Sequence, residues 1–405
     1  MNSAFLSDES KQTTFADFLE SVNGKAHIKT PLAEKNLSAF AAAFCAAVAR
    51  NIDIEIIDAD TSQAELQTFG ISAKQTLPAA TLGIKNWGEL IDTIKKSQSK
   101  ISLFTSGTTG RPKRVVHTIT SLARRIRVSP EHARDVWGFA YNPAHMAGIQ
   151  VFLQALFNAN KTVNLFGLAA QEAAALIEKN AITHISATPT FYRMLLGAGG
   201  TFASVKRATL GGERVGARLC ATLAKLFPNA KINNVYASTE AGALFASDGE
   251  TFSIPSDIAD KVKFSDGEIL LHKTLLGSSD SFALDADGYY HTGDLVEFTD
   301  AQKTRFKIAA RKCNMINTGG YKVNPAEVED ALREIGGVAD AVVFGKKNSV
   351  LGSVVCAVVE PRAGAVLDEQ RLRKNLASRL QAFKIPRIIS FGTIQTTNTG
   401  KAKRL

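Results

Sequence analysis

Cysteine is scarce in this chain: four in 405 residues, Cys45, Cys220, Cys313 and Cys356, none at metal-ligand spacing from another. That argues against a disulfide scaffold and fits a reduced, cytoplasmic setting. Long apolar runs are missing too. The longest apolar helical candidate, 37–49, is too short to span a bilayer. The polar start Met1-Asn2-Ser3-Ala4 carries no sign of a secretory signal. No internal repeat or low-complexity linker interrupts the chain. Nowhere are basic residues interleaved with aromatics as in a single-strand nucleic-acid groove, so nucleic acid is not an expected partner. The common nucleotide loop, G-x-x-x-x-G-K-[ST], is absent as well.

What is present is a globular composition, 45% hydrophobic and 21% charged, in a chain long enough for more than one domain. The formal charge of +10 has two readings. A basic surface attracts polyphosphate ligands or an acidic carrier protein, but a lysine-rich exterior also needs no partner. From residue 37 to 236, helix-like and strand-like segments alternate. Strands are predicted over 52–57, 136–141, 162–166, 183–186 and 207–210, and helices over 37–49, 146–157, 169–179, 189–196 and 215–227. Such alternation predicts an α/β fold of mostly parallel sheets flanked by helices, with ligands at the carboxyl ends of the strands. From about 250 to 310 short strands and turn signals predict a small β-barrel-like subdomain, and after Arg311 a compact α+β segment follows.

The most informative stretch is Leu103-Phe104-Thr105-Ser106-Gly107-Thr108-Thr109-Gly110-Arg111-Pro112-Lys113. Its glycines free the backbone to turn N–H groups toward an oxyanion, its hydroxyls add donors, and Lys113 adds a point charge suited to phosphate. Further motifs come after it in order. They are Tyr236-Ala237-Ser238-Thr239-Glu240, Tyr290-His291-Thr292-Gly293-Asp294, Arg311, the run 315–329 with Gly319-Gly320, and Asn398-Thr399-Gly400-Lys401.

This ordered set resembles the adenylate-forming superfamily of acyl-CoA synthetases, adenylation domains and luciferases, over the chain from about Ile101 to its end. The resemblance implies a large N-terminal adenylation domain, 1–311, and a small mobile lid, 312–405. It implies that Thr105, Ser106, Gly107, Thr108, Thr109, Gly110 and Lys113 hold the ATP phosphates. Tyr236 would stack on adenine beside Asn234, with Gly212 and Glu213 in the same nucleotide-binding set. Thr239 would reach the α-phosphate and Glu240 would hold Mg²⁺, a hard ion suited to carboxylate oxygen. Asp294, on a turn, and Arg311 would take the ribose, and Lys401 would stabilise charge during adenylation. Gly319 and Gly320 would line the path of CoA, and His145, Ala237 and Ser238 would face the acid.

This chain departs from the family pattern at Ala237, Ala310 and Cys313, where glycine, glycine and a hinge residue are usual, and Lys312 is an equal hinge candidate. Fewer residues precede the Thr105 loop than in most members. A second copy covering an exposed sheet edge is therefore among the expected partners. The activity implied is ATP-dependent ligation of a small carboxylic acid to a thiol, CoA first. A carrier-protein phosphopantetheine or an amine is the alternative acceptor. An alternative of another class is a non-catalytic nucleotide- or acyl-adenylate-binding protein, which the three departures favour and against which stand Lys113, Thr239, Glu240, Asp294, Arg311 and Lys401, each of the type that the chemistry requires.

Overall fold

The alternation read from residue 136 onward becomes one large sheet. The computed structural model describes residues 3–8, 11–71, 75–105, 113–213, 215–247, 249–318, 321–348 and 352–395. In it the strands Val136–Phe139, Lys161–Asn164, His184–Ala187, Arg207–Gly211 and Lys231–Ser238 run parallel. Ala4–Ser7 joins them in parallel, and antiparallel strands, Gly242–Ser247 and Gln12–Thr14, form the two ends of this eight-stranded sheet. The intervening helices are Met146–Phe157, Ala170–Lys179, Pro189–Leu196 and Ala217–Leu226, within two residues of the predicted limits. Local chemistry sets their starts. Before Pro189–Leu196, the Thr188 hydroxyl accepts from the Phe191 N–H, and Pro189 supplies a preset φ at the first helical position.

The edge strand Gln12–Thr14 runs directly into the helix Phe15–Asn23. Thr14 caps that helix through Asp17 N–H, and the Asp17 carboxylate reaches back to Thr14 N–H at 3.2 Å, a reciprocal capping box. Behind the helix, Phe5, Phe15 and Phe18 surround Trp87 with ring centroids 4.6 to 5.7 Å away. The Trp87 indole N–H donates to Leu156 O at 3.1 Å, which ties this cluster to the helix Met146–Phe157. Trp87→Ala is expected to lower stability by about 3 kcal/mol, read as a lower urea midpoint at unchanged slope.

A second sheet holds Ile54–Ile56, Ile101–Thr105 and Lys113–His117, the last antiparallel to its neighbour with Thr105 opposite Lys113. The β-rich stretch contains Val262–Ser265, Glu268–His272, Tyr289–Phe298 and Arg305–Arg311. The chain divides into two compact units, residues 1–263 with 270–291 and residues 264–269 with 292–405. In the second unit, Phe264, Phe298 and Phe306 form an aromatic triangle. Its α+β segment packs the helices Pro325–Arg333 and Glu369–Ala377 with a sheet that includes Val338–Asn348 and Gly352–Pro361. Arg333 is half-buried there between Asp340, at 2.6 Å, and Asp330, at 3.2 Å. Among the described residues no helix is long and apolar enough to cross a membrane.

Candidate active site

The strand Lys231–Ser238 carries the first group of site residues on one face by its period of two. Asn234 and Tyr236 are both buried, and Asn234 Nδ2 donates to Gly249 O at 3.1 Å. Tyr236 lies opposite Phe245 of the neighbouring strand and stacks on it, centroids 4.7 Å apart and planes within 8°. The register then slips: Ala237 faces Ala243 and Ser238 faces Gly242. A bulge of this kind bends the strand and re-aims the residues after it, here Thr239 and Glu240.

Those two residues are held by their backbones. The buried His117 ring donates through Nε2 to Thr239 O at 2.8 Å, and Gly277 N–H donates to Glu240 O at 2.8 Å. His117 ends the strand that Lys113 begins, so the strand leaving the phosphate-type loop reaches the Thr239–Glu240 turn directly. Gly277 is required to be small, since a Cβ there would lie 2.6 Å from His117 Cε1 and 2.7 Å from Val116 O. Gln150, from the helix Met146–Phe157, accepts from Ala243 N–H at 3.0 Å and donates to Leu122 O at 3.0 Å, fixing the turn from its other side. Glu240 itself is 9% exposed. A sheltered carboxylate is the hard oxygen donor that a divalent cation takes.

Sequence reasoning missed His117. Its signal was only a polar residue ending an apolar strand, with its partner 122 positions away. Burial, reinforced by Arg124, holds the imidazole pKa below its ordinary 6.5, while the bond to Thr239 and the charge of Glu240 oppose that shift. Between the depressed value and 6.5 the unfolded chain binds a proton that the folded chain does not, so the contribution of His117 to stability falls as pH drops below 6.5. His117→Leu is expected to cost about 1–3 kcal/mol at neutral pH by leaving the Thr239 carbonyl unpaired, and less in mild acid. Urea melts at the two pH values check both.

Lys113 rests its ammonium on Tyr290, with Nζ 3.4 Å from the hydroxyl and 5.8 Å from the ring centroid. Thr105 ends the strand before the loop. Ser106, Gly107, Thr108, Thr109 and Gly110 lie outside the described residues, as do Arg214, Gly319, Gly320 and Lys401.

His145 stands at the N-cap position of the helix Met146–Phe157 without capping it through its side chain, its Nε2 3.3 Å from Asp58 Oδ1, while Asn142 Nδ2 donates to the same carboxylate. The chain bends so tightly here that a Cβ on Gly148 would lie 2.2 Å from Asn142 O. Asp58 and Asn142 were not legible beforehand, because they are 84 positions apart and neither belongs to a motif. Glu213 is engaged by the Thr190 hydroxyl at 2.9 Å and by Arg193 Nη1 at 3.6 Å, and Gly212 beside it has φ 83°. Nearby, the buried Tyr141 donates to Gly211 O at 3.5 Å, and burial pushes its phenol pKa up.

In the second unit, Asp294 and Arg311 stand opposite each other across paired strands, Nε to Oδ1 3.4 Å. Asp294 therefore sits within the strand Tyr289–Phe298, not on the turn expected, because the ladder continues through Thr292 and Gly293. Thr292 Oγ1 donates to Ile269 O at 2.8 Å and accepts from Asp294 N–H at 3.0 Å, fixing the height of the carboxylate. The buried Glu268 accepts from Gly293 N–H at 2.7 Å and from Lys312 Nζ at 2.6 Å. Lys312 is thus tied to a carboxylate 44 positions away that belongs to none of the motifs.

Lys113 and the pinned Thr239–Glu240 turn both lie at strand ends within the first unit, the kind of place where α/β folds hold their ligands. The family model for AMP-binding enzymes matches residues 5–263, and the one for their C-terminal domain matches 327–401. The first match takes in more than half of the chain, and the chain belongs to the AMP-binding enzyme family.

Among curated relatives, a 3-[(3aS,4S,7aS)-7a-methyl-1,5-dioxo-octahydro-1H-inden-4-yl]propanoyl:CoA ligase of Mycobacterium tuberculosis is 31% identical in an alignment that covers 75% of this chain. The match spans 64% of that relative's length and 60% of its Rhodococcus jostii counterpart, under two thirds of each. A 2-succinylbenzoate–CoA ligase of Listeria monocytogenes is 26% identical over 78% of this chain and 71% of its own length. The fold is also that of o-succinylbenzoate CoA synthetase from Bacillus subtilis, solved with its acyl-adenylate intermediate. That likeness has a TM-score of 0.72 at 20% identity, covering 98% of this chain and 94% of the other. ATP-bound MatB from Rhodopseudomonas palustris gives 0.74 at 18% identity, covering 99% and 94%.

Proposed function

We propose that this chain is an AMP-forming acid–thiol ligase. It activates a carboxylic acid with ATP and passes the acyl group to CoA. In the first step a carboxylate oxygen attacks the α-phosphorus and pyrophosphate leaves; in the second a thiolate attacks the acyl carbon and AMP leaves. The observation that carries this reading is the Thr239–Glu240 turn, its two carbonyls bound by His117 and Gly277. That arrangement leaves the Glu240 carboxylate for Mg²⁺, which would neutralise the triphosphate charge.

The remaining roles keep to the motif order. Thr105, Ser106, Gly107, Thr108, Thr109, Gly110 and Lys113 hold the leaving phosphates, and Lys113, resting on Tyr290, needs only a side-chain rotation to do so. Thr239 contacts the α-phosphate, Tyr236 and Asn234 hold the base, and Asp294 with Arg311 takes the ribose. Lys401 stabilises the adenylation transition state. A lid of residues 312–405 rotates after adenylation and brings Gly319 and Gly320 to the thiol. His145, beside Asp58, faces the acid. The Arg193 guanidinium is paired with Glu213, and with that cation committed the reading favours an apolar or aromatic monoacid, Arg214 lying outside the described residues. The relatives named above as CoA ligases support CoA over a carrier protein or an amine. The cytoplasmic setting and a homodimer belong to the same reading, the first supported by free cysteines at Cys45, Cys220 and Cys356.

The test is pyrophosphate release across a panel of carboxylic acids with and without CoA. One acid driving release, with CoA sustaining turnover, supports the ligase. A burst that CoA does not extend would move the acceptor to a carrier protein or amine. ATP binding without release for any acid would favour the non-catalytic reading.

A further inference from the structure

His132, Asp135 and His184 meet at the amino ends of the parallel strands, the end opposite Thr239 and Glu240. Asp135 immediately precedes the strand Val136–Phe139, His184 opens the strand His184–Ala187, and the two strands pair in parallel with His184 beside Trp137. His132 ends the turn Pro130–His132, and Asn160 Nδ2 anchors that turn by donating to His132 O at 2.6 Å. His132 Nδ1 lies 2.8 Å and His184 Nε2 3.5 Å from Asp135 Oδ2. One ligand atom from each residue falls within 4.8 Å of the other two. The Asp135 and His184 side chains are each 9% exposed and His132 is 23% exposed, so the cluster is sheltered but reachable from one side.

We propose that His132, Asp135 and His184 bind a single divalent transition-metal ion of the zinc type, with water completing its coordination. Two imidazole nitrogens and a carboxylate oxygen are the donor set such ions favour over Mg²⁺ or Ca²⁺. Bonds of about 2.0–2.1 Å to a tetrahedral ion place neighbouring ligand atoms about 3.3 Å apart. The observed 2.8 and 3.5 Å from Asp135 Oδ2 bracket that value, and all three ligand atoms lie within 4.8 Å of one another, so side-chain rotation would close the set on an ion.

Thr183 supplies the outer partner that a ligating histidine requires. Its Oγ1 lies 2.9 Å from His184 Nδ1, accepts from Val136 N–H at 2.8 Å, and has Val136 O at 3.2 Å to receive its own proton. It is thereby able to accept the Nδ1 proton of His184, which leaves the Nε2 lone pair directed to the Asp135 side. The ion would fasten the turn 130–135 to two sheet strands. It would act as a clasp on the fold and take no part in the chemistry at the opposite strand ends.

The test uses the full-length, untagged protein dialysed against chelator and titrated with Co²⁺, then Zn²⁺. The expected result is one Co²⁺ per chain with tetrahedral d–d absorption that Zn²⁺ abolishes, and a Tm that rises with Zn²⁺. His132→Ala, at the exposed side of the cluster, should weaken binding at least about tenfold, and Thr183→Val about 10–100-fold. Circular dichroism confirms that each variant is folded. If no saturable Co²⁺ spectrum forms, or if His132→Ala binds as the parent does, the cluster is a hydrogen-bonded Asp–His network and the proposal fails.

Discussion

Glu240→Gln is expected to release pyrophosphate at least about a hundredfold more slowly than the parent at saturating acid and ATP. The substitution keeps shape and volume, and the two backbone bonds that hold the turn, from His117 to Thr239 O and from Gly277 to Glu240 O, involve no side-chain atom of residue 240. Circular dichroism and Tm should therefore match the parent while the chemistry is lost. What the amide cannot replace is the negative charge on a hard oxygen, so the Mg²⁺ concentration giving half-maximal rate should rise. A variant that kept the parent's rate and Mg²⁺ dependence would remove the cation from this residue and, with it, the main support for the ligase reading.

Lys401→Ala is expected to slow adenylation by about 10²–10³-fold, because an ammonium placed against the developing charge acts in the transition state and little in the ground state. The second half-reaction should survive. Supplied with preformed acyl-adenylate, the variant should still transfer the acyl group to CoA at the parent's rate, since the proposed lid rotation removes Lys401 from the site. Single-turnover measurements of the two halves separate these effects. Equal loss in both would mean that Lys401 holds the lid in general and does not act on the reacting phosphate.

The parts of this site that could be read from sequence share one property: each residue is identified by neighbours within a few positions. Thr239 and Glu240 sit in one short run with Tyr236, and the helix predicted over 146–157 is found there because its periodicity is local. The parts that could not be read depend on long-range register. Asp294 and Arg311 were both expected at the ribose, but that they face each other across paired strands, with a bulge between Leu295 and Val296, is something no local pattern announces. His117 reaches Thr239, Asp58 reaches Asn142 and Glu268 reaches Lys312 across 122, 84 and 44 positions. Polar residues at strand ends look alike in sequence, and only the packed sheets decide which of them meet.

The capping box at Thr14 has a consequence for how the molecule behaves in a crowded solution. An edge strand recruits other chains through its unpaired backbone donors. Here the outermost strand, Gln12–Thr14, is only three residues long, and the N–H of Thr14 is already occupied by Asp17. A foreign strand arriving at this margin finds too short a ladder to lengthen the sheet. The same carboxylate that starts a helix thus also discourages fibre-like growth from that side, and loss of Asp17 would free the Thr14 N–H and leave only the shortness of the strand as a guard.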